Sequence, residues 1–116
     1  MITKYKLYKN LNRVPEIGDY VVCIDNNEKL FSFLSNNIGK YVFDSDSDEF
    51  PYYIQYENIP EEIESEFGDD IPDDKIDSEF DGTSGGRQFS LKEIEYSSKN
   101  REDCVKYLKF KKFNLK

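Results

Sequence analysis

Between Glu61 and Asp81 the chain reads EEIESEFGDDIPDDKIDSEFD, eleven carboxylates against one lysine, Lys75. Carboxylates at this density support three kinds of chemistry. As a pair they can move protons, provided that one sits in a dry pocket that raises its pKa. Converging on a point, they can hold a hard cation. Spread over a rigid surface, they can attract a basic protein, in the extreme by imitating B-DNA, which carries one charge about every 1.7 Å of axis. Proton transfer is disfavoured because Pro60, Gly68 and Pro72 break any long helix and make a dry pocket hard to build here. Ile63, Phe67, Ile71, Ile76 and Phe80 recur every four or five residues through the same run. Purely solvating segments seldom keep such anchors. Three readings therefore stand: a passive solubilising loop, an ordered surface that docks on a basic protein patch, and a metal site. The docking reading nominates Glu62, Glu66, Asp69, Asp70, Ile71, Asp73, Asp74, Ile76 and Phe80 as partner-binding residues.

Other candidate chemistries are weaker. DSDSDEFPYYIQ begins like a calcium loop, with Asp44, Asp46 and Asp48 at its first, third and fifth positions. The sixth position, which needs glycine for its turn, is Glu49, and the twelfth, which needs a bidentate glutamate, is Gln55. A zinc site is disfavoured because the chain has no histidine and its two cysteines, Cys23 and Cys104, form no CxxC pair. Those thiols also lack a histidine base, so nucleophilic catalysis is not expected, and both read as small buried hydrophobes of a reducing compartment. GTSGGR is too short for a phosphate-binding loop. Tyr5 and Tyr8 among Lys4, Lys6 and Lys9 could stack and neutralise a single-stranded nucleic acid. The blander reading is an edge strand whose lysines discourage aggregation. No catalytic residue, cofactor or metal is expected.

The formal charge of −8 is unevenly spread. Residues 1–43 carry six basic and four acidic side chains, residues 44–81 one and sixteen, and residues 82–116 nine and four. An acidic middle on a weakly basic body repels nucleic acid and anionic membranes and attracts basic protein surfaces. The start, MITKYKLYKN, has no apolar core, and no run approaches membrane-spanning length, so an intracellular protein is expected.

The elements that would carry these residues are short. KYKLYKN alternates as a half-exposed strand, and DYVVCID is a buried one with Tyr20, Val22 and Ile24 on one face and Val21 and Cys23 on the other. NNEKLFSFLSNN predicts a helix of one or two turns with Leu30, Phe31 and Leu34 inward, ended by left-handed residues at Asn36 and Asn37. After a sharp entry at Gly39, GKYVF and PYYIQYE predict an antiparallel hairpin. PEEIESEF allows a short helix, and Gly82, Gly85 and Gly86 read as a flexible tip, DGTSGGRQ. Ser90 and Glu93 match a capping box, predicting one helical turn before a last strand around Ile94 and Tyr96. The C-terminal helix can be capped by Ser98 or Asn100, with Glu102 and Asp103 early, lysines late, and Cys104, Val105 and Leu108 inward.

The order PEIGDYVVC, FLSNNIGKYV, YYIQYENIPEEI and FSLKEIEYSSKNREDCVKYLKFKKFNL resembles small proteins encoded by phages and large DNA viruses of AT-rich genomes. The resemblance spans most of the chain outside residues 63–86. It implies an all-β core and a viral setting, and carries over no site residues.

Together these readings predict a single domain over residues 1–116 with an acidic insertion at 61–86. The expected fold is mainly β, a small SH3-like, partly open barrel with a short helical turn and a C-terminal helix, the alternative being an α+β sandwich. Val22, Ile24, Val42, Ile54, Ile94 and Leu108 are expected to be buried together. The expected function is that of a non-enzymatic viral interaction module for a protein partner with a basic surface. Its alternatives are a nucleic-acid-mimicking inhibitor of a host defence or nucleic-acid-binding protein, and a structural component of a virion or replication particle. For the aspartate-rich hairpin loop, calcium at a concentration equal to a millimolar dissociation constant should stabilise by only about 0.4 kcal/mol. Calorimetry that finds a micromolar dissociation constant, abolished by Asp46→Asn, contradicts this expectation.

Overall fold

The computed structural model describes residues 13–68, 71–80 and 84–114. The expected first strand at KYKLYKN, with Lys4, Tyr5, Lys6, Tyr8 and Lys9, lies outside these residues, as do Asp69, Asp70 and Gly82.

Strand β1 (Tyr20–Cys23) is followed by helix α1 (Glu28–Leu34), which the Asn27 side chain caps by accepting the Leu30 amide at 3.1 Å. Leu30, Phe33 and Leu34 face inward, while Phe31 is 43 % exposed. The expected inward triplet was thus wrong at Phe31: the three- and four-residue spacings from Leu30 select Phe33 and Leu34. The helix also ends differently from expectation. Ser35 is right-handed (φ −76°), and the Asn36 and Asn37 side-chain amides donate to the carbonyls of Ser32 and Phe33, both at 2.8 Å. The asparagines satisfy orphan carbonyls with their side chains, not by a left-handed turn.

Strands β2 (Gly39–Asp44) and β3 (Tyr52–Tyr56) form the expected hairpin. Gly39 serves close packing instead of a sharp entry, since a Cβ there would lie 2.4 Å from Ile54 Cγ2. The expected flexible glycine tip is partly a strand, β4 (Gly85–Phe89), paired in register with β3 from Tyr52↔Phe89 to Tyr56↔Gly85. Gly86 is required because the Tyr53 ring lies across it, and a Cβ would meet Cε1 at 2.0 Å. The capping box then forms, with the Ser90 amide donating to Glu93 Oε1 at 2.9 Å, and starts a 3-10 turn (Leu91–Glu93) that leads into β5 (Ile94–Ser98). Helix α2 (Arg101–Asn114) closes the chain.

All strand pairs are antiparallel, in the order β4-β3-β2-β1-β5. The sheet is open, with β4 and β5 at opposite edges. Its largest apolar cluster draws on all five strands through Val21, Tyr41, Ile54, Phe89 and Ile94, so the sheet curls around it; α1 and Ile63 seal the open side. The opposite face is covered in two places. Helix α2 packs Cys104 and Leu108 on Val22 and stacks Tyr107 on Tyr96 at 4.5 Å, while Val42, Tyr53 and Ile71 form a separate cluster beside Phe43. Bulges in the β1–β5 and β2–β3 pairings adjust this face. The second leaves Val42 without a register partner, and Val42 and Phe43 then both join the Tyr53 cluster.

The six expected core residues therefore do not share one core. Val22, Val42, Ile54, Ile94 and Leu108 are at most 8 % exposed, but they are divided among three clusters, and Ile24 is half-buried. The cause is strand alternation, which sends neighbours such as Val21 and Val22 to opposite faces, both of them covered. Just before β1, the buried Asp19 carboxylate accepts the Arg13 guanidinium at 2.6 Å and the Glu16 amide at 2.9 Å, which ties the entering loop down.

Ile54→Ala should cost about 2–4 kcal/mol in urea unfolding, because it opens a cavity in the cluster shared by all strands. Phe31→Ala, on the exposed flank of α1, should change stability by less than about 1 kcal/mol. Equal losses in the two variants would contradict this division of the core.

Candidate functional site

The acidic segment is laid against the sheet at successive points. Its first part is a 3-10 helix (Glu61–Glu66) that follows Pro60 and turns Ile63 into the core. Phe67 sets its edge against Phe33 and Tyr56, at centroid distances of 6.0 and 5.9 Å. Gly68 then bridges Gly86 on the outer edge of β4, with N–H···O distances of 2.7 and 2.8 Å in the two directions. Arg87 reinforces this edge, donating to the Glu66 carbonyl and carboxylate at 3.2 and 3.1 Å and to Asp25 at 3.3 Å.

Further along, Ile71 inserts beside Val42 and Tyr53, a short 3-10 turn (Asp73–Lys75) follows Pro72, and Asp77 locks the segment in place. The Asp77 amide donates to Gln55 Oε1 at 2.9 Å, and Gln55 Nε2 donates to the Asp77 carbonyl at 3.4 Å. Lys40 Nζ donates to one Asp77 carboxylate oxygen at 2.9 Å, and the Glu79 amide donates to the other at 2.9 Å. Burial pushes the Asp77 carboxyl up, but the Lys40 ammonium and the Glu79 amide outweigh it and hold the group below its ordinary value. The same hydrogen bond to Asp77 raises Lys40. Residues 71–80 thus form a strap over the β2–β3 face.

The nominated residues divide by role. Glu62, Glu66, Asp73 and Asp74 are exposed, Ile76 is 43 % exposed, and Phe80 is half-buried. Ile71 is only 8 % exposed and therefore anchors the strap to the sheet instead of offering a contact. Asp69 and Asp70 lie outside the described residues. Sequence reasoning missed Lys40, Gln55 and Asp77, the three residues that hold the strap. One signal was present: Gln55 stands in YYIQY, among aromatic and aliphatic residues, where a fully buried amide requires a partner.

The aspartate-rich loop is arranged the opposite way from a cation site. Ser45 and Ser47 close it, the Ser45 hydroxyl donating to the Phe50 carbonyl at 2.7 Å and the Phe50 amide to Ser47 Oγ at 3.0 Å. Asp44, Asp46 and Asp48 are exposed. Among the described residues no three carboxylate or thiol side chains converge to hold a metal ion. Cys23 and Cys104 are free and buried. Desolvation pushes the Cys104 thiol up to about 12 and Cys23 higher still, so both stay protonated at neutral pH. The Tyr56 hydroxyl is buried in the same cluster as Cys23, beside the thiol and backbone of that residue, and burial raises it well above its ordinary value. No protein-family model, no curated protein and no solved structure matches the chain.

Asp77→Asn removes the ionic half of the lock. With Lys40 and Asp77 side chains 25 % and 9 % exposed, the loss should be about 1–3 kcal/mol, between the values for surface and buried pairs. Because Asp77 is held below its unfolded value, its contribution is present above about pH 4 and is lost as pH falls through the folded pKa. Lys40, raised in the fold, contributes below about pH 10.4 and loses that contribution as pH rises through its folded pKa. Hydrogen-exchange protection factors of residues 71–80, taken relative to the intrinsic rate at each pH, should fall at acid pH in the wild type, and at neutral pH already in Asp77→Asn. Protection that is indifferent to both changes contradicts the lock.

Proposed function

We propose that this protein is a non-catalytic viral or phage interaction module that docks a basic partner protein through the carboxylates of its strap. The observation that carries the reading is the Asp77–Lys40–Gln55 lock, which fixes the strap while Asp73, Asp74 and Glu79 remain exposed beside it. A fixed array of charge loses less entropy on binding than a mobile tail would. Glu61, Glu62, Glu64 and Glu66, on the preceding 3-10 helix, extend the exposed acidic surface. Against catalysis stand the two protonated, buried thiols and the outward direction of the aspartates.

Within the mainly β class, we assign the fold to small SH3-like, partly open barrels. One core shared by all five strands supports this, as does the 3-10 turn leading directly into β5. Direct nucleic-acid binding is disfavoured by the acidic segment. No helix among the described residues is long and apolar enough to cross a membrane, and the proposed setting is the host cytoplasm or a virion. A nucleic-acid-mimicking inhibitor is the narrower version of the same reading, favoured by the fixed carboxylates of the strap.

Glu62→Gln, Glu64→Gln, Asp73→Asn and Asp74→Asn combined should leave the melting temperature unchanged or raise it, since self-repulsion falls. Capture of a basic partner at low salt should weaken about tenfold or more, and its salt dependence should flatten. Wild-type capture with wild-type salt dependence in this variant would sink the proposal.

A further inference from the structure

The strap carries an apolar side chain that its own fold leaves uncovered. Ile76 is 43 % exposed, immediately after the Asp73–Lys75 turn and immediately before the locked Asp77. The acids Asp73, Asp74 and Glu79 stand exposed around it in sequence. A groove of the complementary kind lies between the α1–β2 turn and α2. Ile38, Val105 and Leu108 give it an apolar floor, and Arg101, Lys109 and Lys112 line it with positive charge, around a cavity of about 260 Å³. Arg101, Val105, Leu108 and Lys112 recur at three- and four-residue spacings, so one face of α2 builds this wall. Glu57, which also lines the groove, lies 3.9 Å from Arg101, and both lysines are exposed.

We infer that the strap of one molecule docks in this groove on a second copy of the chain, Ile76 meeting the floor and the strap aspartates meeting Arg101, Lys109 and Lys112. This rests on the docking function of the strap and names the basic surface it meets, the α2 wall of a second copy whose net charge is itself negative. The contact is intermolecular, because Asp77 is bonded through both backbone and side chain to Gln55 and Lys40 and holds Ile76 over its own β2–β3 face. Strap and groove are also neighbours on one side of the sheet. Ile38 and Glu57 line the groove, while Lys40 and Gln55, each two residues along the chain, hold the strap. Two copies placed face to face about a two-fold axis can therefore bring each strap over the other's groove, forming the same contact twice in a closed dimer. Each copy has a net charge of −8, which opposes association, so local pairing of unlike patches has to hold the dimer.

Sedimentation of the full chain at increasing concentration tests this, with circular dichroism to verify folding of each variant. Wild type should form dimers and nothing larger, and Ile76→Ser should weaken the dimer about tenfold or more. Asp73→Lys with Asp74→Lys should be monomeric, as should Lys109→Glu with Lys112→Glu. A 1:1 mixture of these two charge-reversed variants should restore the dimer, since each strap then faces a groove of opposite sign. A wild type that stays monomeric to about 1 mM, growth beyond the dimer, or a mixture that stays monomeric overturns the inference. A monomeric wild type whose strap still captures a basic protein overturns the dimer alone; loss of both overturns the docking function as well.

Discussion

A sheet that is apolar on both faces must be covered twice, and the rest of this structure follows from that constraint. Tyr52, Ile54 and Tyr56 of β3 point to one side, with Tyr53 and Gln55 on the other, and all but the half-buried Tyr52 are buried. Neither face can be left to water without losing the apolar burial that holds so small a domain together. Helix α1 and the first 3-10 helix close the concave side. On the convex side α2 reaches Val22 and Tyr96, and the strap supplies Ile71 over Val42 and Tyr53. The acidic segment is thus a structural layer of the fold as well as its most charged surface.

The two roles are separated residue by residue. Ile63, Phe67 and Ile71 face the body, while Glu61, Glu62, Glu64, Glu66, Asp73 and Asp74 face solvent. Asp77 is the exception that makes the arrangement hold. Its carboxylate turns inward to the Lys40 ammonium, while its backbone amide and carbonyl satisfy the buried Gln55 side chain. Gln55 therefore depends on where the strap backbone lies, and Lys40 on the Asp77 carboxylate, so the strap is held at one residue by two different contacts.

The same separation appears in the β2–β3 connection. Serines and aspartates alternate there, and the serines take the loop-closing hydrogen bonds, which leaves the aspartates exposed. A cation loop needs the reverse, with carboxylates converging inward. The acids of this loop and of the strap are exposed, and basic side chains of α2 line a groove on the same side of the sheet as the strap.

Much of the secondary structure was legible because it rests on local signals. Alternation marked β1 and β3, the hairpin pattern marked β2, the Ser90–Glu93 capping box marked the turn before β5, and the charge gradient of REDCVKYLKFKK marked α2. The acidic segment and the recurrence of its apolar anchors were legible for the same reason. What the sequence did not disclose depended on atoms brought together from distant parts of the chain. Gly85 and Gly86 read locally as flexibility, yet the Tyr53 ring and the Gly68 carbonyl make them strand residues that tolerate no Cβ. Alternation assigned Val21 and Val22 to opposite faces of a buried strand, but only packing decided which elements cover each face. Lys40, Gln55 and Asp77 carry no pattern in one dimension, because their spacing has no meaning until β2, β3 and the strap lie side by side. Local propensity and periodicity are properties of neighbouring residues, whereas a lock between residues 37 positions apart is a property of the folded surface alone.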